Sequence, residues 1–355
     1  MKIILFTLIA SAIFCFAYPQ SVRPVRDSVG FCWNAVEMDS LIAYLSRDAG
    51  VVPSNANRPG TMIGGISVHD DYLYAGRVYY PLYSKLRTKE VVIFGVTHGD
   101  VRKAMNDPKN ILLLDEFDTW QGPYGMVAIS PLRELIKEKL PKEDFSVSNK
   151  AQSLEHSIEA LVPFLQYYNR DVKITPIMIT QMSYERMSDV SKKLSKIILE
   201  YVTANHLTPG RDIFFLISND ADHYGEDFNN TPFGMNKDAH ERATNNDKRI
   251  IAEDLTGEIS AVKIKNFTAE VWPDSANKNP VPLWCGRYPI VFGLMTITDV
   301  MNTYNGAPLK GELLKYSDSF TEKVLPVNST GMGVTAVFSL RHWCGFFTLG
   351  IYADH

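Results

Sequence analysis

Residues 91–96, Val-Val-Ile-Phe-Gly-Val, form an unbroken apolar run. The run is too short for an ordinary helix and lacks the alternation of a strand with one wet face. It therefore reads as a strand covered on both sides. A second short apolar run occupies 61–68. Between the two, residues 72–86 repeat apolar side chains at helical spacing through Ala75, Val78, Tyr79 and Leu82. Strand, helix, strand is the crossover of a parallel sheet. Residues 172–179 and 212–217 add two more buried strands, joined by the long amphipathic stretch 183–205. Weaker signals place a strand at 111–114 and helices at 38–45 (capped by Asp39 or Ser40), 131–140, 153–159 (capped by Ser153), 248–262 and 286–304. The polar stretch 226–246 reads as a surface excursion. The predicted class is α/β, a central, mostly parallel sheet flanked by helices on both faces. Antiparallel strands at 313–319, 333–340 and 346–352 complete the C-terminus.

Residues 1–17 are of another kind. Lys2 precedes an apolar run from Ile3 to Phe16, and Ala17 is followed by Tyr18-Pro19. This pattern is that of a secretory signal cleaved after Ala17, and the run is short for a membrane span. An exported protein, periplasmic or extracellular, is the expectation, with no stable membrane span after cleavage. Residues 18–355 follow as one domain, since no linker or repeat divides them. The net charge of −4 includes Lys2, and no basic block appears, so nucleic acid is not an expected partner. Of the four cysteines, Cys15 leaves with the signal. Cys32, Cys285 and Cys344 remain, an odd number that leaves at least one thiol outside any intramolecular disulfide; if Cys285 is the reactive one, Cys32 and Cys344 can pair.

In an open α/β sheet, ligands gather where strands end and loops begin. His69, His98 and His223 all stand at such ends, in three separate strand units, and Cys285 precedes the helix at 286–304. A cysteine there meets unpaired N–H groups and the neighbouring Arg287, both of which favour thiolate; a small buried hydrophobe is the plainer reading. Imidazoles with one thiolate suit a borderline-soft ion such as Fe(II), Zn(II) or copper. Asp220 and Asp222 lie just before His223, where a carboxylate can fix an imidazole's tautomer for acid–base work; a capped turn explains the same residues. His156 and Glu159, three apart, share a face if helical, as a pocket wall or as an exposed pair. No glycine-rich phosphate loop or Gly-x-Ser-x-Gly elbow occurs, which weighs against nucleotide enzymes and serine hydrolases.

Taken together, these stretches resemble the Memo family, known in prokaryotes as protein B of the AmmeMemoRadiSam system. The matches run in order: Gly30-Phe31-Cys32-Trp33, His69 with Tyr72 and Tyr74-Ala75-Gly76, Gly95-Val96-Thr97-His98, Glu155-His156-Ser157-Ile158-Glu159, Ser218-Asn219-Asp220 with His223-Tyr224-Gly225, and Cys285-Gly286-Arg287-Tyr288-Pro289-Ile290. The resemblance implies a fold like that of class III extradiol dioxygenases, with a metal site at one sheet end. By position it implies His69, His98 and Cys285 as metal ligands, His223 as an additional site histidine and Asp220 as its aspartate. Departures occur around the first two ligands: Val68 before His69, Asp70-Asp71 after it, and Gly99-Asp100 after His98. Three extra carboxylates are thus expected to crowd the pocket and to disfavour anionic aromatic acids.

The expected function is that of an exported metal-binding oxidoreductase of dioxygenase type. It would carry Fe(II) or, as alternatives, copper or zinc. His223 would move protons, Asp220 would orient it, and His156, Glu159 and Arg287 would line the substrate pocket. A small molecule or peptide is the expected ligand, with other AmmeMemoRadiSam proteins as partners. Two alternatives stand beside it: a non-catalytic protein that captures metal or peptide, and a Zn-dependent hydrolase.

Overall fold

The computed structural model describes residues 20–50, 60–272, 280–327 and 331–354; the leader expected at 1–17 lies outside them. Among these residues a large sheet runs in the order Val22–Arg23, Thr119–Gly122, Gly125–Ile129, Lys173–Ile179, Glu90–Gly95, Ile213–Ser218, Thr61–Ser67, His342–Ala353, Leu309–Asp318, Gly257–Glu258. The neighbours from Gly125–Ile129 through Thr61–Ser67 pair in parallel. His342–Ala353 pairs antiparallel with both of its neighbours.

The apolar runs are explained by two cores, one on each face. Val92, Phe94, Phe215 and Ile217 pack with Leu194 and Ile198 of helix Tyr184–Ala204 and with Phe292 and Ile297 of helix Arg287–Tyr304. The alternate residues Val91, Ile93, Phe214 and Leu216 face the other way. They pack on Leu41 of helix Ala35–Asp48, Val78 of helix Tyr72–Tyr83 and Phe164 of helix Val162–Tyr168. Each such burial contributes roughly 1.5–3 kcal/mol, so both sides of every central strand must be apolar.

Several boundaries differ from the sequence reading. Asn34, not Asp39 or Ser40, caps the first helix by accepting the Glu37 N–H at 3.0 Å. Within the polar stretch 226–246 begins a real helix, Lys237–Ile250, capped by Asn236. Its inner face is small, with Ala239, Ala243 and Ile250 buried, so little periodicity shows. The helix expected at 248–262 is interrupted by a π turn, Ile251–Leu255, and by Gly257 at φ 77°, before helix Ala261–Val271. No strand forms at 333–340; the last strand starts at His342. The helix expected at 153–159 is instead Asn149–Leu154, capped by Ser148, and it stops where Glu155 becomes extended.

Two glycines let the site close. A Cβ on Gly95 would collide with the Ile158 side chain, so the turn at 155–158 can cross the strand end only there. A Cβ on Gly286 would lie 2.6 Å from the Ser218 carbonyl oxygen, so the helix after Cys285 can abut the Ile213–Ser218 strand only with glycine.

Candidate metal centre

His69 follows the Thr61–Ser67 strand and is 1% exposed. Its backbone N–H donates to Asp220 Oδ1 at 2.9 Å, and its ring Nδ1 lies 2.7 Å from the Ser218 hydroxyl. That hydroxyl gives its single hydrogen to the Ser157 carbonyl at 2.7 Å. Towards His69 it must therefore accept, which places the ring proton on Nδ1. Nε2 keeps a lone pair, 3.4 Å from Cys285 Sγ.

His98 repeats the device with a carboxylate. Its Nδ1 lies 2.7 Å from Glu155 Oε1, and its backbone N–H donates to Oε2 at 2.9 Å. The same carboxylate accepts the N–H groups of His156 and Ser157, both at 2.9 Å. Burial works against the ionised form, but His98, His156 and these donors hold Glu155 well below the usual carboxylate range. Glu155 in turn raises the His98 imidazole against burial.

Cys285 Sγ accepts the Asp220 N–H at 3.1 Å. One ligand atom each from His69, His98 and Cys285 lie within 4.8 Å of one another. Two imidazoles, oriented by Ser218 and Glu155, and one sulfur are a donor set that fits a borderline-soft divalent ion.

A profile of Memo-like proteins matches residues 38–330. The chain belongs to the Memo family. MEMO1 family proteins of Pyrobaculum arsenaticum, Aquifex aeolicus and Saccharolobus islandicus are 31%, 30% and 34% identical to it, over 46%, 44% and 44% of this chain. The matches cover 53%, 52% and 51% of those proteins, so the chain spans about half the length of the curated relatives it matches.

Around the three candidate ligands of this Memo-family chain, the other expected residues divide. Asp220 and His223 reach the centre, each offering an atom within 4.8 Å of the others and of Cys285. Burial and nearby Asp71 push Asp220 up to about 7, while burial, aided by His98, pushes His223 down to about 4. His223 Nδ1 lies 3.1 Å from the Ala221 carbonyl, an acceptor, so the neutral ring keeps its lone pair on Nε2. His156 stacks on His98 with ring centroids 4.5 Å apart at 11°, and burial, followed by His98, pushes it down to about 4. Arg287 lines a cavity of about 290 Å³ with His98, His223 and Cys285. Its Nη1 donates to the Trp284 carbonyl at 2.8 Å.

Four expectations are corrected. Glu159 is not a pocket residue: it is 1% exposed, forms a buried ion pair with Arg23, and accepts the N–H groups of Arg26 and Asp27. The helix ends before His156, so the two residues share no helical face. Asp100 turns outward to Arg26 at 2.9 Å and does not crowd the pocket, whereas Asp70 and Asp71 do line a cavity beside His69. The Cys285 thiol is not favoured as thiolate by its helix: burial and the Asp220 carboxylate push it well up, outweighing the Asp220 N–H and Arg287. A bound dication would supply the missing charge, since metal binding releases the thiol proton. Finally, Cys32 and Cys344 are both free, Cys32 lying 2.9 Å from Met332 Sδ.

Glu155 and Ser218, which set the two tautomers, are the residues that sequence reasoning passed over. Both sit inside the matched motifs. Glu155 was legible only if the helix was known to stop at Leu154, because an unwound Glu155 can turn its carboxylate back to the end of the Glu90–Gly95 strand.

Proposed function

We propose that this Memo-family chain is an exported metal-dependent oxidoreductase that acts on a small molecule, with Fe(II) as the first choice of ion and copper or zinc as alternatives. His69, His98 and Cys285 would hold the ion. The single observation that supports this best is their convergence within 4.8 Å with both imidazole Nε2 atoms left free to coordinate by hydrogen bonds at Nδ1. When bound, iron or copper would supply open coordination positions and one-electron chemistry, whereas zinc, which has no redox chemistry, would supply open positions alone.

The chain's own residues do the rest. His223, neutral at pH 7 and on the cavity lining, accepts a proton at Nε2 from a bound acidic group. Asp220, poised near neutrality, exchanges protons beside it. Ile179, Phe228, Leu283 and Tyr288 wall the cavity and exclude water from the reacting atoms. Export rests on the charged and apolar pattern of residues 1–17, and a partnership with other AmmeMemoRadiSam proteins rests on the family. A second reading, capture of metal without turnover, draws support from Asp70, Asp71 and Asp220 beside His69.

The test is elemental analysis of protein purified without oxygen, followed by oxygen-uptake assays with catechols and thiols. Bound iron with substrate-dependent uptake is expected. Bound metal without uptake across that panel would favour the second reading.

A further inference from the structure

The centre lies between two chambers of opposite character. The first, about 290 Å³, is lined by Arg102 and Arg287 together with apolar walls at Val96, Ile179, Leu283 and Tyr288. Neither guanidinium has a carboxylate partner among the described ion pairs, and the Arg287 Nε is buried without any hydrogen-bond partner. Arg287 also opens the helix Arg287–Tyr304, whose N-terminus adds positive potential at the same wall. The second chamber, about 250 Å³, is lined by Asp27, Asp70, Asp71 and Asp220. Those carboxylates are satisfied by backbone N–H groups and the Thr335 hydroxyl rather than by Lys or Arg. His98, His223 and Phe228 belong to both linings and form the strip where the chambers meet.

Arginines on one side of the strip and a group of aspartates on the other, which a neighbouring cation would hold ionised, select a ligand that carries both charges. A simple anion would gain on the arginine side and be repelled from the aspartate side, and a simple cation the reverse. We propose that the site binds a small, extended zwitterion, its carboxylate at Arg287 and Arg102, its ammonium in the aspartate chamber, and its middle over the strip. A dipeptide with an apolar side chain is the simplest such molecule. This rests on the reading of His69, His98 and Cys285 as a metal centre beside the strip, because the ion would meet the middle of the ligand. The excess of acid expected from sequence is thereby confined to one side of the centre.

The probe is the dipeptide Ala-Phe, compared with its N-acetyl and C-amide forms, titrated calorimetrically into full-length protein of measured metal content. The free dipeptide is expected to bind at least tenfold tighter than either blocked form. Arg287→Gln should erase the discrimination against the amide alone. Asp27→Asn, distant in sequence from the ligands, should weaken only the discrimination against the acetyl form. Equal binding of free and blocked forms, or no binding of any, would overturn the proposal. Metal loading is read separately from the thiolate-to-metal absorption of the cobalt-substituted protein. Loading without charge discrimination sinks the zwitterion alone; discrimination without loading sinks the metal reading alone.

Discussion

A carboxylate that accepts four N–H groups, as Glu155 does from His98, His156 and Ser157, holds backbone and imidazole together. Glu155→Gln keeps the shape but gives the His98 ring a weaker, uncharged acceptor. Such an outer-shell change is expected to cost roughly 10–100-fold in metal affinity, measured by competition with a chelator. Glu155→Ala should also lower the melting temperature, because each buried N–H it orphans costs roughly 1–3 kcal/mol. Ser218→Ala tests the other imidazole. Without the hydroxyl, nothing fixes the His69 proton on Nδ1, and nitrogen chemical shifts should change from one tautomer to a mixture. At this scale His69, His98, His223 and Cys285 were legible because each is a chemically active residue placed where an apolar run stops or a helix starts. Glu159 misled because its spacing from His156 has helical meaning only on a helix. Glu155, one residue earlier, was silent because its role depends on a turn that the sequence does not announce.

The elements around Cys285 show what the thiol's position costs. Leu283 donates its N–H to Asp222 Oδ1 at 2.8 Å, Trp284 donates its ring N–H to Asp247 Oδ1 at 2.7 Å, and Tyr316 donates its hydroxyl to Asp247 Oδ2 at 3.0 Å. Both aspartates are buried; burial pushes Asp222 up to about 6 and, with Asp222 as neighbour, Asp247 well above its ordinary value. Folding therefore takes up protons here. Stability from this clamp is complete below the unfolded value near ~4 and falls as the pH rises towards about 6. Asp247→Asn should flatten that slope in urea titrations run across the window; an unchanged slope would show that the pair does not titrate there. Gly286→Ala acts on the same joint by a different route. The added methyl meets the Ser218 carbonyl, which is backbone and cannot swing aside, so the helix start must retreat. Metal affinity should fall further than in Glu155→Gln. The central strands were legible because their alternating faces are both apolar. Helix Lys237–Ile250 was not, because alanines and polar residues fill it and only long-range packing sets its inner face.

Across the whole molecule, the centre is assembled from segments that meet only when the sheet is built: 69, 98, 220–223 and 285. Neighbouring parallel strands bring their ends to one rim, which is why the sequence could foretell the rim but not the distances. No disulfide reinforces it among the described residues. Cys32, Cys285 and Cys344 should therefore all react with a thiol label in denatured, unreduced protein, and dithiothreitol should leave the melting temperature unchanged. An ion held by His69, His98 and Cys285 would tie two strand ends to one helix start, and it can do so only in the folded chain. Binding to the folded state alone stabilises by about 2.7 kcal/mol when free metal is a hundredfold above its Kd. For a chain this large that corresponds to a rise on the order of 5 °C in melting temperature. Chelation should remove the increment, and Cys285→Ser should reduce it sharply while leaving the chelated protein's melting point close to wild type. If the serine variant keeps the full metal-dependent rise, the sulfur is not a ligand, and the centre must be sought in His98, Glu155 and His156, whose ligand atoms also lie within 4.8 Å of one another and which, of the three candidate groups among the described residues, is the one without Cys285.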